Sequence, residues 1–350
     1  MNHIICENLV SLTEQMNDAR GVAGSSSDLN YSNSFADENP NRHADEQADG
    51  LSDSHADEHS DSPQDYRINS ILEHSSESYT DRVGFMGIID LTAENVISML
   101  KEVNEYEGIM KASSLNDATL SNHAQEILDA FRNTAPSAKS IRTVLRTYGN
   151  PIDFDIFEHA DFGFIEITTR HFLDLIESPR NPLLGSLQER TTAIYTTTLL
   201  LNQLFLSYND VLELDWIEKE HCTTKKRKWD GVLVLAKDKR VSISLVEFSG
   251  GVKSNNNNSK EKQDISKLYK NMAKVLENLP EASKKQVFAV RFFNDNIYFE
   301  KLLYYESKYI RCQHCCIECP TTPRSLLDYI QEVPNLMRWR NAVVNHSLQN

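Results

Sequence analysis

Two β-type runs constrain this chain more than any other feature: Lys228-Trp-Asp-Gly-Val-Leu-Val-Leu-Ala236 and Val241-Ser-Ile-Ser-Leu-Val-Glu-Phe-Ser249. Lys237-Asp-Lys-Arg240 separates them. A two- or four-residue loop there centres between 238 and 239, so paired residue numbers sum to 477. Asp230 then faces Glu247 across an antiparallel ladder, with Cβ atoms about 4.5–5.5 Å apart. Lys228 faces Ser249 in the same register. Alternation puts Val232, Val234, Ile243 and Leu245 on the acids' face. The expected hairpin is apolar near its turn and carries two carboxylates at its open end.

Carboxylates held opposite each other repel, and need a cation, a proton or solvent between them. Mg²⁺ takes such oxygen ligands and keeps several waters. Metal-assisted phosphodiester hydrolysis requires that arrangement, a Lewis acid beside the phosphate with a metal-bound water. The plain alternative is a solvated acid pair, or a diagonal pairing of Glu247 with Lys228.

Asp230-Gly, followed about 17 residues on by Glu247-Phe-Ser249 at the end of an apolar strand, resembles the PD-(D/E)XK restriction-endonuclease-like superfamily. The order of elements over residues 187–300 is similar too. A helix with an acidic residue, Glu189, comes before the strands; a polar helix from Gln263 to Leu279 and a strand from Gln286 to Phe293 come after. The same order and texture are similar to fungal protein families with this nuclease-like core. The resemblance implies an α/β (α+β) fold, a mixed sheet flanked by helices. It implies Mg²⁺ held by Asp230 and Glu247, with Glu189 as a third ligand. One position departs from the family: its third signature residue, a lysine that positions or activates the attacking water, is Ser249 here. Lys228, opposite Ser249, is the expected replacement, with Lys253 and Lys260 as weaker candidates. Trp229 stands where a proline commonly precedes the first acid. The resemblance with this departure implies a nucleic-acid-associated protein whose phosphodiesterase activity is weakened or lost. An active nuclease using Lys228 and a non-enzymatic protein-interaction module are the alternatives.

The net charge of −15 argues against a nucleic-acid partner until it is divided along the chain. Residues 1–80 carry 3 basic and 16 acidic residues, 81–220 carry 11 and 22, and 221–350 carry 22 and 13. The last third, net +9, is therefore the expected nucleic-acid-facing part. On the helix after the hairpin, Lys267, Lys270 and Lys274 share one face, a stripe suited to phosphates or to solvent. Residues 1–80 read as a disordered acidic tail, with a short Ala-Asp-Glu repeat and histidines His43, His55 and His59. Residues 81–186 read as mainly helical and 187–350 as the nuclease-like core. Within these, helices are expected near 92–103, 117–131 and 139–148, and a short strand at 162–168. One long helix is expected from Leu187 to Tyr208, and a C-terminal helical region broken near Pro334.

No apolar run reaches the ~18–20 residues of a membrane span, and the first residues lack the pattern of a secretory signal. The expected compartment is intracellular, nucleus or cytoplasm, with Lys225-Lys-Arg-Lys228 as an import signal, a phosphate contact or a solvated strand entry. Cys312, Cys315, Cys316 and Cys319 invite zinc, but all four lie within eight residues with no second pair. Reduced, mostly buried thiols are the expectation. Gly250-Gly251 would let backbone approach a phosphate, or simply open a flexible insertion.

Overall fold

The computed structural model describes residues 87–149, 151–224, 227–251, 258–279 and 286–349. The acidic tail with its repeat and histidines, together with Lys225, Lys226 and Lys253, lies outside the described residues.

A strand, β1 (Ile88–Asp90), opens the described chain. Helices α1 (Glu94–Glu102), α2 (Tyr106–Ser113), α3 (Asn122–Arg132), α4 (Ala138–Tyr148) and α5 (Ala160–Glu177) follow. The strand expected at 162–168 is part of α5. Over seven residues the pattern alternates, but Phe162, Ile165, Thr169, Phe172 and Leu173 are buried at helical spacing over the longer window. The single helix expected at 187–208 is two, α6 (Glu189–Tyr195) and α7 (Thr197–Phe205), divided at Thr196, whose φ of −126° and ψ of −91° leave the helical region. Then come β2 (Leu212–His221), β3 (Arg227–Leu235), β4 (Ser242–Phe248), α8 (Asn258–Asn278), β5 (Gln286–Phe293), β6 (Asn296–Tyr305), β7 (Lys308–Glu318) and α9 (Pro323–Leu348). Pro334 sits inside α9 without ending it. A capping box of Thr322 with Ser325 starts that helix. Leu326, Ile330, Val333, Leu336, Trp339 and Val343 bury one face of it, and that packing outweighs the hydrogen bond proline removes.

The fold is mixed α/β. One seven-stranded open sheet runs β1-β7-β6-β5-β4-β3-β2, parallel at β1/β7 and β4/β5 and antiparallel elsewhere. Every residue of β4 is buried, because helices cover both faces. Under α8 lie Val232, Val234, Leu245, Val287, Ala289 and Leu302. On the opposite face Leu233, Val246, Phe248, Phe288, Phe292 and Phe299 pack against α9, α7, α5 and α3. A third cluster joins α1 and α2 to the β1/β7 end through Ile89, Val96, Leu100, Ile109, Leu303 and Ile310.

The hairpin register is 477 at its open end, as Gly231 pairs Val246 and Val232 pairs Leu245. It arrives there by a different route. The turn is centred on 238, with Leu235 N–H donating to Val241 C=O, and Val234 pairs Ser242. A bulge between these pairs restores the sum. The bulge turns Ile243 to the α9 face, away from the acids' face where alternation had placed it. Val232, Val234 and Leu245 keep the expected face.

Candidate active site

The ladder between β3 and β4 stops at Gly231–Val246. Beyond it the Phe248 N–H donates to Asp230 Oδ2 at 2.7 Å, so a side chain closes the open end. Ser249 N–H then donates to Phe292 C=O, carrying β4 toward β5. Glu247, on the face shared with Leu245, meets α8: Lys267 Nζ donates to its Oε1 at 2.5 Å. Lys267 also lies 4.9 Å from the centre of the Trp229 ring.

Glu189, the first residue of α6, reaches the same place from the other side of the hairpin. Its Oε2 accepts from Gly250 N–H at 2.8 Å and from Lys260 Nζ of α8 at 2.6 Å. The two glycines after β4 explain this approach. Gly250 has φ +118°, and a Cβ on Gly251 would stand 1.8 Å from the Leu187 carbonyl oxygen. The backbone that Gly251 admits is the chain's own Leu187–Gln188.

Asp264, one turn from both lysines on α8, completes the group. Burial raises the Asp264 carboxyl, while Ser249, Lys260 and Lys267 pull it down. Burial likewise raises Asp230, helped by Glu189 and opposed by Phe248 N–H. Glu247 is pushed up to about 8 by burial, against the pull of Lys267 and with added pressure from Asp230 and Asp264. Burial lowers Lys260, but Glu189 more than reverses this, and its pKa is raised. Glu247 Oε2 and Asp264 Oδ2 are buried with no hydrogen-bond partner.

The structure thus brings together Glu189, Asp230, Glu247, Ser249 and the weaker candidate Lys260 from the sequence reading, and adds Asp264 and Lys267. It leaves Lys228 out. Trp229 takes the buried position at this end of β3, and Lys228 turns outward to Glu218 Oε2 at 3.0 Å. Glu218 is presented by a bulge of β2 in which Ile217 and Glu218 both have positive φ. The lysine stripe on α8 is also broken: Lys267 faces the acids, Lys270 is exposed and Lys274 is half-buried. A sequence signal for the missed residues exists. Lys260, Asp264, Lys267 and the buried Asn271 recur at i, i+4, i+7 and i+11, a polar line beside the apolar Leu268, Met272 and Val275.

Among the described residues no set of three or more His, Cys, Asp or Glu side chains stands ready to hold a metal ion. The two ammonium groups sit on two of the carboxylates. The cysteines of β7 and Cys319 just after it are dispersed: Cys312 enters the cluster under α1 and α2, Cys315 and Cys319 enter the α9 core, and Cys316 donates to Asn296 Oδ1 at 3.5 Å. Burial pushes Cys312 and Cys316 up to about 11. Among the described residues no helix is long and apolar enough to cross a membrane.

No protein-family model matches this chain, and no curated protein or solved structure matches it either.

Proposed function

We propose that this protein is a divalent-metal-dependent phosphodiesterase of the PD-(D/E)XK type acting on nucleic acid, with Lys267 supplying the cation that the motif lacks at Ser249. The observation that carries this reading is the convergence of Glu189, Asp230 and Glu247 from α6, β3 and β4 on one charged patch. With Asp264 the patch holds four carboxylates against two ammonium groups, Lys260 and Lys267. Fully ionised, that is two negative charges in excess, the charge of one divalent cation. The partnerless Glu247 Oε2 and Asp264 Oδ2 are oxygen donors of the hard type Mg²⁺ takes.

Glu189, Asp230 and Glu247 would hold the ion. A bound Mg²⁺ supplies a Lewis acid for a phosphate oxygen and a water of lowered pKa. Lys267, carried on α8 against the Trp229 ring, provides positive charge for a phosphate. Asp264 balances Lys260 and Lys267. The basic last third, net +9, supports a polyanionic substrate. A second reading, nucleic-acid binding without cleavage, is favoured by the lysines themselves, since each already neutralises the carboxylate it touches.

Cleavage of single- and double-stranded DNA and RNA with Mg²⁺ or Mn²⁺ tests the proposal, alongside Mn²⁺ binding by calorimetry. Asp230→Asn, Glu247→Gln and Lys267→Met should each lower cleavage by about 100-fold or more. Lys228→Met should stay within about threefold, its partner Glu218 being exposed at the surface. Salt-sensitive binding with no cleavage would leave the second reading. Cleavage unaltered by Asp230→Asn and Glu247→Gln would refute the first.

A further inference from the structure

The buried cations of this molecule fall into two classes. Arg311 donates to Asp90 Oδ2 at 3.0 Å and to Glu300 Oε1 at 2.7 Å, and Arg291 donates to Glu261 Oε1 at 2.7 Å. Those charges are balanced inside the fold. Arg340 of α9 is equally buried, 6 % exposed. Its guanidinium hydrogen bonds, from Nε and Nη2, go to the neutral Asn341 Oδ1 at 3.1 and 2.9 Å. It lies 5.5 Å from the Tyr208 ring centre. No described carboxylate lies within ion-pair distance of it; Asp161 acts on it from farther away, and burial outweighs that attraction. A buried charge without a close counter-charge is costly.

Arg340 lines a cavity of about 430 Å³ together with Asn341, Asn345, Tyr208 and Phe157. Two acids also border it. Asp161 is already engaged, accepting from Ser121 N–H and Oγ at 2.6 and 2.7 Å and from its neighbour Phe162 N–H at 2.8 Å. Glu158 is exposed, next to the exposed ring of Phe157. Asn341 and Asn345 also border a second cavity of about 230 Å³, lined by Lys301. Lys301 is 1 % exposed and donates to the neutral Gln286 Oε1 at 3.3 Å, with no described carboxylate in ion-pair range. Two buried cations without ion pairs therefore flank the same pair of amides. Neither cavity includes Glu189, Asp230 or Glu247.

We propose that the cavity beside Arg340 is a binding site for a small organic oxyanion, a phosphate monoester or a carboxylate. The guanidinium fork takes such a group bidentately, the Asn341 and Asn345 amides orient it, and Tyr208 and Phe157 receive its organic part. Phosphate and carboxylate share this chemistry, so both are used as probes.

The test is titration calorimetry on the full chain in EDTA, which keeps phosphate from a metal-loaded acid site. Phenyl phosphate and benzoate are the oxyanion probes, and benzamide is their neutral counterpart. One oxyanion should bind and raise the melting temperature, while benzamide should do neither. Arg340→Gln should weaken binding by about tenfold or more. Because that variant loses a buried side chain and could unfold, Asn345→Asp provides the second arm. Asn345 is exposed, so the fold should persist while the added negative charge in the lining weakens the oxyanion about as much. Asp230→Asn should leave binding unchanged. The proposal fails if neither oxyanion binds at about 10 mM, if benzamide binds equally, or if folded Asn345→Asp binds as tightly as the parent.

Discussion

Glu247 is the residue on which the acid site turns, and its environment makes it a pH-dependent liability. Burial moves its carboxyl from an ordinary 4.5 to about 8. The folded state therefore keeps a proton that the unfolded chain releases. The contribution is complete below about pH 4.5 and is lost as pH rises toward about 8. A shift of that size corresponds to about 5 kcal/mol, as an order of magnitude. Asp230 and Asp264, also raised by burial, slope the same way. In EDTA, Glu247→Gln should thus gain stability on the parent as pH rises from 5 to 8, read by urea denaturation. Mg²⁺ should stabilise the parent more at pH 8 than at pH 5, and do little for the variant. Parallel stability curves for the two proteins would contradict the burial account. Glu189, Asp230 and Glu247 were legible in the sequence because strand pairing is arithmetic and a helix start is a local pattern. Lys267 and Asp264 were not, because their meaning depends on which face α8 lays on the sheet. Lys228 was misplaced by the same arithmetic, which has no knowledge of the Trp229 indole or of the Glu218 bulge.

Elements were legible where one period held over their whole length. The strand read at 286–293 is β5 as observed, and the helix read at 263–279 lies within one residue of the end of α8. The reading lapsed where a short window imitated another period, as in α5. It lapsed again where tertiary packing overrode a local breaker, as at Pro334. The hairpin register was right through two compensating irregularities, an off-centre turn and a bulge, neither of which side-chain pattern encodes. The joint between β4 and α6 yields a sharper test. Gly251 packs its Cα against the Leu187 carbonyl and Gln188, with no room for a methyl group. Backbone cannot swing aside as a flexible side chain can, so Gly251→Ala should cost about 1–3 kcal/mol. It should also push α6 away and weaken the Gly250 N–H to Glu189 contact, lowering Mn²⁺ affinity. A variant with the parent's urea midpoint and Mn²⁺ affinity would show that this joint does not hold Glu189 in place.

At the scale of the molecule, the division at residue 186 that the nuclease-like resemblance implies meets a single shared interior. β1 comes from the helical stretch yet pairs in parallel with β7, Ile88 opposite Tyr309 and Asp90 opposite Arg311. Asp90 then meets the Arg311 guanidinium, which also meets Glu300, and Glu300 accepts from Tyr269 OH of α8 at 3.0 Å. On the other face Tyr329 of α9 donates to Thr168 of α5 at 2.7 Å, and Phe172 packs edge-on to the Tyr329 ring. Removing residues 1–186 would take away one edge strand, strip Arg311 of one of its two carboxylates, and expose the α9 face that Phe162, Ile165 and Phe172 cover. Burying each such large apolar side chain is worth about 1.5–3 kcal/mol, against a typical total stability of about 5–15 kcal/mol. A chain reduced to residues 187–350 should therefore fail to unfold cooperatively, whereas removal of residues 1–59, none of which belongs to the described sheet, helices or core clusters, should leave the transition intact. Calorimetric melting of both shortened chains checks this. A sharp transition in 187–350 would mean that the sheet and α9 hold together without the helices before them, and that the acid site can be studied on the last 164 residues alone.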